Sequence, residues 1–187
     1  MKSKVLRWVA GIEVLVLAAT LAAVAQDFDG VQFRGTIGDY TLASTPPTVG
    51  GPWRVQGEWQ MHVNWRSLKA GFTAELTMVR SDDGAMAHGG LDSAAARNAH
   101  THHIKLAIGN VTPLTNGNGF EVTGTATLSA NGKTPPNPPF TSSNVPVTID
   151  ITGGDLVPFS NMQLTLGGDA VAHFGSKPLQ GVIRNFQ

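Results

Sequence analysis

The sequence predicts an all-β protein, a single antiparallel domain of about eight strands arranged as a β-sandwich or a closed β-barrel. Three observations carry this. Apolar residues recur at every second position in several separate runs, glycine-rich pairs punctuate those runs, and helical periodicity is nearly absent. Period-2 alternation in all these segments means that each strand buries one face, which suits antiparallel sheets closed over one core. Alternation alone does not distinguish two packed sheets from one sheet closed on itself.

The clearest strand runs from Trp53 to Trp65. Its odd positions are Trp53, Val55, Gly57, Trp59, Met61, Val63 and Trp65, and its even positions are Arg54, Gln56, Glu58, Gln60, His62 and Asn64. A helix would scatter those apolar residues around its circumference, whereas a strand puts all three tryptophans on one face. After a hairpin connection at Ser67 to Gly71, Phe72, Ala74, Leu76 and Met78 repeat the pattern. Further runs follow at Phe120–Leu128, Val145–Ile151 and Met162–Leu166. Residues 31–37 and 170–174 are weaker strand candidates, and a last short strand is expected at 181–186. Asn116-Gly117-Asn118-Gly119, Asn131-Gly132, Gly153-Gly154 and Gly167-Gly168 mark turns between runs. Thr134-Pro135-Pro136-Asn137-Pro138-Pro139 lacks the donors a central strand needs and is expected to cross the outside or one end of the domain.

The first 25 residues read as an export signal. Lys2, Lys4 and Arg7 precede a mostly apolar stretch from Trp8 to Leu21, and Ala23-Val24-Ala25 has the small-x-small pattern of a cleavage site. The expected organisation is therefore a signal peptide at 1–25 and one all-β domain at 26–187, secreted or periplasmic, with no membrane span after cleavage. The alternative is a retained N-terminal anchor. Removing the segment takes away Lys2, Lys4, Arg7 and Glu13, which leaves ten of the 13 basic and twelve of the 13 acidic residues. So even a balance gives no electrostatic reason to expect a nucleic-acid partner. There is no cysteine, which excludes disulfides and thiol catalysis and leaves core burial as the source of stability.

Chemistry is hinted at in one place. Three of the six histidines fall within His100-Thr101-His102-His103, at the head of the alternating run Ile104-Lys105-Leu106-Ala107-Ile108. On a strand, His100 and His102 share a face roughly 7 Å apart at Cα, a spacing at which two imidazoles can chelate one divalent ion. Imidazole suits zinc, copper and nickel, and zinc or copper is the expected cofactor if one is held. Candidates for a third ligand are His88, His173 and His103, the last disfavoured because an adjacent residue points to the opposite face. Asp155 and Asp169, in glycine-rich turns, are candidates for an oxygen ligand or an acceptor for an imidazole N–H. His88 lies in Ser81–Ala99, a long stretch without strand pattern that leads directly into the cluster and carries a short helical signal capped at Asp92 or Ser93. The bland alternative is that His102, in phase with Ile104, Leu106 and Ile108, is an edge-of-core residue.

Other sites are weaker. Glu58 and Glu75 pair across the hairpin in one register, but Arg54 and Arg66 nearby make solvated charges the simpler reading. No nucleophile elbow and no phosphate-binding glycine loop is present. The expected function is an exported binding module with a histidine-built divalent metal site, whose partner is a metal ion or small ligand. The alternatives are a carrier of a small apolar ligand in a cavity lined by Trp53, Trp59 and Trp65, and a non-catalytic envelope protein. Whether the protein is an enzyme is left open at this level, and any catalysis is expected to be metal-assisted.

Overall fold

Each alternating run becomes a strand, and each strand pairs antiparallel with the next. The computed structural model describes residues 30–41, 53–80, 99–115, 117–131, 140–152 and 161–186. The strands are β1 (Val31–Tyr40), β2 (Trp53–Asn64), β3 (Lys69–Arg80), β4 (His100–Pro113), β5 (Gly119–Asn131), β6 (Ser142–Thr152), β7 (Met162–Leu166) and β8 (Leu179–Phe186). The order around the sheet is the order along the chain, and β1 pairs with β8, so the sheet is a closed eight-stranded barrel rather than a sandwich. Among the described residues every strand is paired with a neighbour on each side.

An eight-stranded barrel has an interior just wide enough for side chains to fill. Here the inward positions of all eight strands form one buried apolar cluster. Trp53, Val55, Trp59, Met61 and Val63 of β2 are buried while Gln56, Glu58 and Gln60 are exposed, as the alternation requires. The Trp59 ring stacks on Phe72 with centroids 6.2 Å apart. This packing depends on Gly35, which faces Trp59 in the β1–β2 register. A Cβ at residue 35 would collide with the Val182 carbonyl and lie 2.8 Å from the indole ring.

Three expectations need correction. Residues 170–174 are not a strand. Gly168–Ala170 forms a 3-10 turn and Val171–Phe174 a four-residue helix, α1. Ala170 and Phe174 are spaced to bury one side of this turn, which a strand of the same residues would not do. Gly175, at φ 82°, ends the helix and returns the chain toward β8. Trp65 does not share the interior with Trp53 and Trp59. The β2–β3 connection already begins there, and the ring is 40% exposed, edge-on to Phe120 at 5.0 Å. Ile108 leaves the phase of Leu106 because β4 shifts register against both neighbours between Leu106 and Gly109, and Ile108 is 70% exposed.

One mouth of the barrel gathers the end of β1, the starts of β2, β4 and β6, and the turn and helix between β7 and β8. The expected signal segment, the Pro-rich stretch 134–139, most of the 81–99 stretch with its helical signal, and Asp155 lie outside the described residues. Among the described residues no helix is long and apolar enough to cross a membrane.

Gly35→Ala is expected to lower stability by about 3 kcal/mol, at the upper end of overpacking penalties, because the added methyl meets backbone on one side and the indole on the other. A urea midpoint unchanged from the parent would contradict the tight β1–Trp59–β8 contact.

Candidate metal centre

Alternation within a closed barrel decides where the histidines of β4 point. His100 and His102 are in phase with Ile104 and Leu106, so both project inward, 4% and 0% exposed. His103 projects outward. Its Nε2 lies 3.1 Å from Asn131 Nδ2, and its Nδ1 lies 3.7 Å from the exposed Glu75 carboxylate.

The third imidazole comes from α1. The helix is held at both ends, since Gly167 donates its N–H to the Pro146 carbonyl at 2.8 Å and Gly175 donates to Val171 at 2.9 Å. Beyond it, Lys177 pairs with the Asp39 carboxylate at 2.8 Å, and the Gln180 N–H donates to that carboxylate at 3.0 Å. These bonds tie the segment after the helix to the end of β1. With Ala170 and Phe174 turned inward, His173 sits over the mouth, partly exposed.

The three side chains converge tip to tip. His173 Nε2 lies 3.1 Å from His100 Nε2 and 2.9 Å from His102 Nε2. One ligand nitrogen from each histidine lies within 4.8 Å of those of the other two, which makes this a group able to hold a metal ion. Aromatic rings wall it. Trp53 meets His100 edge-on at 5.0 Å, Phe174 meets His102 at 5.0 Å, and Phe140 stacks on His173 at 6.0 Å. Trp53 is itself pinned, since Thr41 donates its N–H to the Trp53 carbonyl at 2.9 Å and accepts the Trp53 N–H on its hydroxyl at 3.3 Å.

Hydrogen bonding alone does not satisfy this arrangement. A neutral imidazole nitrogen carries either one proton or one lone pair. If His173 Nε2 holds the proton it donates well to only one neighbour. If it holds the lone pair, two N–H groups compete for it. His102 Nδ1 also has no partner in good hydrogen-bond geometry. A cation at the centre accepts all three lone pairs at once. Metal–nitrogen bonds of about 2.1 Å in a tetrahedron set the nitrogens roughly 3.4 Å apart, and the two separations from His173 Nε2 are within a few tenths of an ångström of that spacing.

The electrostatics favour the neutral, ligand-competent form. Burial, followed by the charges of His173, His100 and His103, pushes the His102 imidazole down to about 2, with the Phe140 backbone pulling weakly the other way. Burial and then His100 push His173 down to about 4.

Of the residues singled out in the sequence, the structure thus brings together His100, His102 and His173. His103 is on the outer wall, Asp169 is exposed in the turn before α1, and His88 lies outside the described residues. Glu58 and Glu75 are register partners, both exposed on the outer wall in a groove they share with Arg34, Lys105 and Arg184. The aromatic wall had no sequence signal beyond the inward phase of Trp53. Phe140 follows the Pro-rich stretch, and Phe174 belongs to a segment read as a strand. No protein-family model, curated protein or solved structure matches the chain. The molecule is therefore defined by its architecture, a closed eight-stranded β-barrel with a histidine triad in one mouth.

The metal-free protein is expected to lose stability as pH falls from 7 to 5. In the unfolded chain His102 and His173 take up protons near 6.5, while in the fold both stay neutral to about 2 and about 4. Below 6.5 the unfolded state therefore binds more protons and is favoured, by on the order of 2 kcal/mol per histidine at pH 5. Urea midpoints of the metal-free protein at pH 7, 6 and 5 check this, and a flat profile would contradict burial of neutral imidazoles.

Proposed function

We propose that this protein is a transition-metal-binding β-barrel module whose ligands are Nε2 of His100, His102 and His173. The observation that supports this most directly is the convergence of three buried or half-buried imidazoles, with His100 Nε2 and His102 Nε2 lying 3.1 and 2.9 Å from His173 Nε2. Imidazole ligation suits zinc, copper or nickel. Three protein donors leave at least one coordination position for a further ligand. An ion held this way has the coordination used elsewhere to activate water, which is the chemistry the centre would support if the protein is an enzyme. The basic start of the chain and Ala23-Val24-Ala25 support export, which would put the centre outside the cytoplasm. The apolar-carrier reading is less well supported, since Trp53 packs on His100 and Trp59 on Phe72 within the filled interior.

Elemental analysis of the untagged protein tests the reading. After incubation with zinc, copper or nickel and desalting, the parent is expected to retain close to one ion per chain. His100→Ala/His102→Ala is expected to retain none, and His173→Ala to bind at least about tenfold more weakly. His103→Ala, altered on the outer wall, is expected to match the parent. A parent that holds none of the three ions, or a His103→Ala variant as defective as the double variant, would refute the assignment.

A further inference from the structure

The three imidazoles leave a coordination position to fill, and the barrel wall beside them carries a sulfur donor. In the β3–β4 ladder Met78 stands directly across from His100, and Leu76 across from His102. Both are wholly buried, so both are on the interior face with the histidines. Directly opposed residues on one face of an antiparallel pair have Cβ atoms about 5 Å apart. Of the two, only Met78 has a donor atom, a thioether on a side chain with three rotatable bonds that adapts to irregular space.

We propose that Met78 is the fourth ligand of this centre and that the ion it selects is copper in the cuprous state. This rests on the metal-centre reading of His100, His102 and His173. Two features of the site support it besides the sulfur. The first is charge. Every donor in the set is neutral, and among the described residues no carboxylate joins the cluster. The desolvation cost of an ion rises with the square of its charge, so an unbalanced dication in this aromatic surround costs roughly four times what a monocation does. The second is softness. Thioether and imidazole together are a donor set that cuprous copper accepts readily, whereas divalent zinc in a mouth of this kind is better served by an oxygen or thiolate ligand. The walls supplied by Trp53, Phe140 and Phe174 keep the surround apolar, which favours the less charged ion.

The experiment is an anaerobic competition on the full chain. Cuprous ion, supplied as its acetonitrile complex, is titrated against bathocuproine disulfonate, and zinc is titrated in parallel against a chromophoric chelator. The parent is expected to bind one cuprous ion more tightly than zinc. Met78→Leu, a volume-conserving change that keeps the core filled, is expected to weaken cuprous binding about tenfold or more while leaving zinc binding within about twofold. Copper K-edge absorption on the parent gives a readout that needs no variant, and a sulfur scatterer beside the nitrogen shell is expected. Cuprous binding that Met78→Leu does not alter, or a copper shell of nitrogen alone, overturns the role of Met78. Zinc binding tighter than cuprous binding overturns the choice of ion while leaving the histidine centre standing. Binding of neither ion removes both readings.

Discussion

Closure of the ladder between β1 and β8 is the constraint on which everything else here depends. Once the sheet meets itself, every second side chain of eight strands enters one shared interior, and the only routes to solvent are the two mouths. That interior must be filled, which sets the tolerance for each inward position. The wall against Trp59 must be a glycine, because the β1–Trp59–β8 contact has no room for a methyl group. The same closure forces His100 and His102 inward, since a strand cannot turn one in-phase residue outward without shifting all the others.

Placing two imidazoles in an apolar interior is unfavourable unless something satisfies them. The fold answers in part by keeping His102 neutral and in part by bringing a third imidazole down from the turn between β7 and β8. That turn is held by the Gly167–Pro146 backbone bond to β6 and by the Lys177–Asp39–Gln180 contacts to β1, none of which involves a histidine. The scaffold for His173 is thus built independently of the ligand set, which is how a site on a short connection can be pre-formed. The remaining frustration, three imidazoles whose tips crowd around His173 Nε2, is local and specific. The rest of the interior is an apolar cluster, so three convergent imidazoles are the clearest departure from it.

The outer wall follows different rules. Glu58, Glu75, His103 and Lys105 line one groove on the outer wall, where Glu75 and His103 lie beside each other in reach of solvent. His103 is one peptide unit from His102 yet belongs to that solvated surface. The contrast between the two neighbours shows the pleat separating chemistry from solvation at a distance of one residue.

The sequence by itself determined the all-β class, the strand runs, the inward phase of His100 and His102 and the outward phase of His103, because a period of two is a local property of an extended chain. Tertiary structure alone decided four things. Barrel was chosen over sandwich by the pairing of β1 with β8, a contact between the two ends of the domain that no local pattern encodes. Ile108 left the core because a register shift in β4 depends on both neighbouring strands. Residues 170–174 became a helix because Ala170 and Phe174 had to close a mouth, a demand set by packing that overrides a weak strand pattern. His173, 71 residues from His102, joined the pair on β4 because the chain had travelled around the barrel and back to the same mouth. Two ligands spaced i, i+2 are visible in a string of residues, whereas the choice of His173 among the candidates for the third is made only when the ladder closes.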